Sequence, residues 1–187
     1  MIIGVIGDFH YVDLKLIENL GGNILKISDP LDFEKIQGLI IVGEDNVFLS
    51  RFIKRKGLIE KINEKAKQDL PILGIGAGML ILAREISNSK EFSLGFMDIK
   101  VRKNGFFYKR KEFSKLLKIC ALGYKPFLAK FINAPVVQEL SPNVGILCTT
   151  EDKIIMVRQG NFLACSFFPL NEETFYRYFL NMIKDSY

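Results

Sequence analysis

The chain has 187 residues, 49% hydrophobic and 25% charged, with a net charge of +5, and its pI is near 9.0. This length predicts one domain, 1–187, with a full core, and the composition is that of an ordinary globular protein and excludes a disordered or fibrous one. The longest mostly apolar run, Leu70–Ala83, contains Pro71 and three glycines and falls short of the roughly 20 residues that span a bilayer, so no membrane helix is expected.

The N-terminus, "MIIGVIG", has no basic leader and no cleavage site, and it reads as a first strand over Ile2–Ile6 in a cytoplasmic protein. Tyr11–Leu20 carries Val12, Leu16, Ile17 and Leu20 at helical spacing and stops at Gly21-Gly22. A strand at Asn23–Ile27, a helical turn near Pro30–Ile36 and a strand at Leu39–Val42 follow. The amphipathic stretch Phe48–Gln68, interrupted at Gly57, precedes a strand at Pro71–Ile75, which runs through three close glycines into an apolar helix. Strands that alternate with helices imply a parallel sheet covered on both faces.

The second half changes character. Asp98–Val101, Phe106–Phe113, Phe127–Ile132, Gly145–Thr149, Ile154–Arg158 and Phe162–Phe167 are closely spaced strand candidates, "TEDK" at 150–153 reads as a hairpin loop, and a last helix spans Glu172–Lys184. The expected whole is a three-layer α/β fold, mostly parallel, with an added antiparallel section. Cys120, Cys148 and Cys165 lie in apolar stretches without CxxC spacing and read as buried thiols. The basic clusters at Lys54–Lys56, Arg102–Lys103 and Lys109–Lys111 are scattered and read as solvated faces, not as a nucleic-acid footprint.

Ligands of open α/β sheets sit beyond the carboxyl ends of the strands, which selects Gly7–His10, Gly43–Asn46, Gly74–Gly78 and Phe168–Leu170 as the places to search. "GIGAG" at 74–78 has the shape of a nucleophile elbow, where small flanking residues permit a sharp strand-to-helix turn and the central residue projects above the sheet. The central residue is Gly76, which has no side chain to act as a nucleophile.

The order of "GVIG" (4–7), "GLIIVGED" (38–45), "PILGIGAGMLILAREI" (71–86), "FINAP" (131–135) and "QGNFLACSFFP" (159–169) resembles the class I glutamine amidotransferases. Within them it is most similar to the PdxT-like glutaminase subunits of pyridoxal 5′-phosphate (PLP) synthase, over essentially the whole chain. The resemblance implies a flavodoxin-like fold. It also implies that Gly76 stands where the family's G-T-C-A-G elbow has its cysteine, and that Phe168 and Leu170 in "SFFPL" stand where S-F-H-P-E has the base and its orienting carboxylate.

The same alignment puts "VGEDN" (42–46) on the P-G-G-E-S oxyanion loop, with Gly43 kept, Glu44 replacing a glycine and Asp45 next to it. A carboxylate there opposes a developing oxyanion. Asn133 stands at the usual substrate-binding arginine, and "KNGFFYK" (103–109) replaces R-N-S-F-G-R-Q. These departures imply a kept scaffold without glutaminase chemistry, and no relocated nucleophile at Cys165.

His10, the single histidine, falls in the loop after the first strand, and with Asp8, Glu44 and Asp45 it forms a candidate polar cluster for a cation or amine. No cofactor is expected, and no metal is assigned. The leading expectation is a non-catalytic, PdxT-like binding or regulatory protein, docking on a (β/α)₈ PLP synthase subunit or on another protein. The alternatives are an enzyme of changed chemistry built on the Asp8/His10/Glu44/Asp45 cluster, and a subunit that still serves PLP biosynthesis. With Phe168 and Leu170 in place of polar groups, both side chains are expected to pack inward and close the glutamine site.

Overall fold

The computed structural model describes residues 1–106, 111–123 and 125–186. The chain begins β1 (Ile2–Gly7), a 3₁₀ turn (Phe9–Tyr11), α1 (Leu14–Asn19), β2 (Asn23–Lys26), a 3₁₀ turn (Pro30–Lys35) and β3 (Gly38–Gly43). It continues with α2 (Asn46–Arg55), α3 (Ile59–Lys67), β4 (Ile72–Gly76), α4 (Ala77–Leu82), β5 (Ala83–Ile86), β6 (Met97–Arg102), β7 (Glu112–Leu117) and β8 (Phe127–Ile132). The rest is β9 (Val136–Leu140), β10 (Gly145–Thr150), β11 (Lys153–Gln159), β12 (Phe162–Cys165), β13 (Phe167–Phe168) and α5 (Glu173–Asp185).

One sheet runs β2-β1-β3-β4-β12-β11-β9-β6-β5, with β10 also on β11. The strands from β2 to β12 are mutually parallel, and β12-β11-β9-β6 pair antiparallel. A second, antiparallel sheet has the order β13-β8-β7. The α/β architecture and the antiparallel addition are as expected from the sequence.

The alternation along β3 shows how the layers form. Ile40 and Val42 enter a core shared with Ile17 of α1, Phe175 and Phe179 of α5, and Phe131 of the small sheet. Leu39 and Ile41 enter the opposite core, with Leu49 and Ile53 of α2, Ile62 of α3 and Leu82 of α4. Successive strand residues point to opposite faces, and all four of these β3 side chains are fully buried. Each contributes about 1.5–3 kcal/mol of transfer free energy, so a parallel sheet between two apolar layers follows from four consecutive β-branched or aliphatic residues.

Local chemistry sets the boundaries. Asp13 caps α1 by accepting from the Leu16 N–H at 3.0 Å, so the helix starts at Leu14 and residues 9–11 form a separate turn. Gly57, at φ +65°, divides the amphipathic stretch into α2 and α3. Thr150 pairs with Lys153 across Glu151 and Asp152, whose φ values of +50° and +57° make the predicted "TEDK" loop a two-residue hairpin.

Two sequence expectations are corrected, and one strand was not foreseen. The strand placed at Phe106–Phe113 begins at Glu112; Phe106 lies in a turn, and 107–110, with part of "KNGFFYK", fall outside the described residues. The run Phe162–Phe167 breaks at Ser166, a fully buried hydroxyl that donates to the Pro135 carbonyl and separates β12 from β13. The apolar helix α4 contains Gly78 and ends at Leu82, and the chain turns into β5, whose middle residues Arg84 and Glu85 are exposed and hide the strand from a hydropathy reading.

Candidate functional site

β4 ends in a turn that only a few backbone conformations can make. Gly76 has φ +60° and ψ −118° and caps α4 directly. Its neighbour across the sheet is Gly43, at the end of β3. A β-carbon on residue 76 would sit 2.6 Å from the Gly43 carbonyl oxygen and 2.7 Å from Cζ of Phe168. Phe168 is brought there by β13, where it pairs with Lys130 of β8.

The Phe168 ring is fully buried. The ring of Tyr11, from the turn after β1, lies over it with centroids 4.2 Å apart. Gly76, Phe168 and Tyr11 therefore stack at the carboxyl ends of β1, β3 and β4, and the expected inward packing of Phe168 is what the structure has. Leu170 meets the expectation only in part. It is half-buried and lines an open groove of about 390 Å³ with Phe127, Lys130 and Glu172. One residue, Pro169, separates it from β13; part of its side chain packs against the core that holds Phe168, and the rest faces the groove.

A separate polar cleft of about 210 Å³ lies beside this stack. Its lining includes Glu44, Asp45, Asn46, Lys103, Asn104 and Asn133. Asn104 at φ +50° and Asn133 at φ +44° occupy left-handed turns that asparagine tolerates better than most residues. Asp45 is tied down as the α2 cap, accepting from the Phe48 N–H at 2.9 Å.

Asn46 and Glu91 were not legible as a pair. Asn46 is 2% exposed. Its Nδ2 donates to Glu91 Oε2 at 2.8 Å, and Lys103 Nζ donates to the other carboxylate oxygen at 2.6 Å. Glu91 comes from the irregular segment between β5 and β6, where no periodicity marks it. The Lys103 ammonium and then the Asn46 amide hold its carboxyl below the usual range.

That network gives a pH prediction with a definite sign. A depressed folded-state pKa adds stability that is complete above the unfolded carboxylate pKa and is lost as pH falls through the folded value. Unfolding followed by urea from pH 7 down to about 3 should therefore show a stability loss in the acid limb that Glu91→Gln reduces. An unchanged acid limb in the variant would refute the assignment.

The Asp8/His10/Glu44/Asp45 cluster does not assemble as one site. His10 Nε2 approaches Asp8 Oδ1 to 3.9 Å, with side chains 74% and 42% exposed. Asp8 lines a cleft of about 220 Å³ with Phe9, Lys26 and Phe48, whereas Glu44 and Asp45 line the polar cleft described above. Among the described residues no group of three or more His, Cys, Asp or Glu side chains is placed to hold a metal.

Cys165 is fully buried and its Sγ donates to the Phe167 carbonyl at 3.2 Å. Burial pushes that thiol far up, and it pushes Cys148 up to about 11. Neither forms a thiolate nucleophile near neutral pH. Cys120 is exposed, a correction to the reading of all three as buried: its 3₁₀ turn, Cys120–Leu122, points Leu122 inward in its place.

Among the described residues no helix is long and apolar enough to cross a membrane. A family model described as the SNO glutamine amidotransferase family matches residues 2–185. The pyridoxal 5′-phosphate synthase subunit PdxT of Fervidobacterium nodosum is 40% identical over 99% of this chain and 98% of its own. The subunit of the same name from Geobacillus kaustophilus is 36% identical over 100% of this chain and 96% of its own. A crystal structure of a glutamine amidotransferase superposes with a TM-score of 0.89 at 27% identity, covering 97% of this chain and 98% of that one.

Proposed function

The chain belongs to the SNO glutamine amidotransferase family, and from that premise we propose that it is a non-hydrolytic member that acts by binding, with a PLP synthase-type (β/α)₈ subunit as its first candidate partner. The observation that carries this reading is the stack at the elbow. A thiol-dependent amidohydrolase needs a nucleophile at the strand-to-helix turn, a base within hydrogen-bond reach and oxyanion donors facing the reacting carbonyl. The turn holds Gly76, the group packed on it is the phenyl ring of Phe168, and the loop after β3 adds the Glu44 carboxylate. Phenyl cannot take a proton, and the described cysteines near the sheet are buried with raised pKa values.

The names of the relatives favour a second reading, that the chain still supports PLP synthesis as a synthase subunit. Both readings are tested by one pair of measurements. Purified protein, alone and with a PLP synthase subunit added, is expected to release no ammonia from glutamine. Trapping of a glutamine-analogue inhibitor at Cys120, Cys148 or Cys165 would overturn the non-hydrolytic reading. Co-sedimentation with the synthase subunit then separates docking on that partner from binding elsewhere.

An enzyme of changed chemistry rests on Asp8 and His10 alone, because Glu44 and Asp45 face another cleft. It predicts an activity lost in His10→Ala with the fold intact.

A further inference from the structure

The outer face of α2 carries an uncovered combination of aromatic and cationic groups. Phe48 is 61% exposed. Together with Arg51, Phe52, Arg55 and Lys56 it lines a groove of about 440 Å³. The spacing of 48, 51, 52, 55 and 56 is that of a single helical stripe, while Leu49 and Ile53 on the opposite stripe are buried in the core. Arg51, Arg55 and Lys56 are exposed, and no carboxylate among the described residues forms an ion pair with any of them. Lys54, on the flank, instead lies 4.6 Å from the ring centroid of Phe92.

We propose that this face of α2 is a docking site for an acidic amphipathic helix of a partner protein, which seats apolar side chains on Phe48 and Phe52 and carboxylates on Arg51, Arg55 and Lys56. The proposal rests on the binding reading above and names the chemistry of the partner.

Charge complementarity and length choose the occupant. From Phe48 to Lys56 the stripe is about 12 Å long at 1.5 Å per residue, which matches about two turns of a partner helix. Aromatic and arginine side chains are also the residue types that anchor interfaces. A nucleic-acid strand needs a continuing basic track, whereas in the next helix Lys61 and Lys65 are already paired with Glu34 and Glu64, which interrupts the free positive charge after Lys56. The face also adjoins the polar cleft, because Asn46, the first residue of α2, lines it. A partner seated here touches the same end of the sheet at which Phe168 closes the elbow.

The probe is a labelled synthetic peptide of about 18 residues, with Leu at helical a and d positions and Glu elsewhere, titrated by fluorescence anisotropy. Binding to the full chain is expected in the micromolar range, weakening as salt is raised from about 50 to 300 mM. Phe48→Ala and the double variant Arg51→Glu/Arg55→Glu are each expected to weaken it about tenfold or more. All three positions are exposed, and circular dichroism checks that the variants fold.

The matching peptide with Lys in place of Glu should bind the double variant better than it binds the original chain. No binding of the Glu peptide, equal binding by original and variant chains, or tighter binding of a thymidine oligonucleotide than of the peptide each overturns the proposal. Glutamine hydrolysis by the protein would overturn the non-hydrolytic reading without altering any of these titrations.

Discussion

Phe168→Ala is expected to destabilise the protein by about 3–5 kcal/mol, the range for removing a fully buried aromatic side chain. The ring is completely buried, packs against the tilted ring of Tyr11 with centroids 4.2 Å apart and lies against Gly76. Gly76 has no side chain with which to fill the hole, and its backbone is held in the ladder to Gly43. The cavity therefore has little means of collapsing, which puts the cost toward the upper part of the range. Urea unfolding measures the loss. Calorimetry with glutamine supplies a second readout: no heat of binding is expected for the original chain. Micromolar glutamine binding that disappears in Phe168→Ala would show an open site and contradict the closure.

Gly76→Cys, the single change that puts a thiol at the elbow, is expected to cost about 2–6 kcal/mol and to yield no glutaminase activity. Two physical terms add. Residue 76 sits at φ +60° and ψ −118°, where a side chain carries about 1–3 kcal/mol of backbone strain. Its β-carbon would also lie 2.6 Å from a backbone oxygen and 2.7 Å from the Phe168 ring, and overpacking of this kind costs about 1–3 kcal/mol. The ring can yield and the sheet carbonyl cannot.

A double-mutant cycle with Phe168→Leu separates the terms, since the coupled part reports the ring contact and the remainder reports strain and the carbonyl. Additive costs would show that Phe168 does not press on residue 76. The thiol itself gains no function, because a phenyl or leucine side chain at 168 cannot accept its proton.

What the sequence made legible divides along physical lines. β3 and β4 are short aliphatic runs between glycines, and burial on both faces leaves them no other reading. The 150–153 hairpin was visible because its loop is polar and sits between apolar runs. β5 was not visible, because at Ala83–Ile86 the exposed Arg84 and Glu85 dilute its two buried ends.

The site was harder. Resemblance placed Gly76 beside Phe168, but only part of Leu170 packs inward, because its direction depends on how far β13 extends before the chain turns. The grouping of Asp8 and His10 with Glu44 and Asp45 failed for a related reason. All four follow strands that end at the same edge, yet α2 starts so close after β3 that Asp45 is committed to capping it. The Asn46–Glu91–Lys103 network joins three segments far apart in the chain, and no local pattern announces such a contact.

The carboxyl-terminal carbonyls of β3 have a consequence for how this chain is recognised as kin. An added β-carbon would lie 2.0 Å from the Ile41 oxygen at Gly78, 1.9 Å from the Val42 oxygen at Gly7 and 2.6 Å from the Gly43 oxygen at Gly76. Two segments thus meet one strand end through three bare-backbone positions, and neither can acquire a side chain there without moving apart from it. These glycines sit in "GVIG" and "GIGAG", the stretches that make the ancestry evident. What keeps them in place is the closeness of the junction, a demand that persists whether or not a thiol and an imidazole ever meet above it. Kinship inferred from such positions transfers an architecture; the chemistry has to be inherited through other residues.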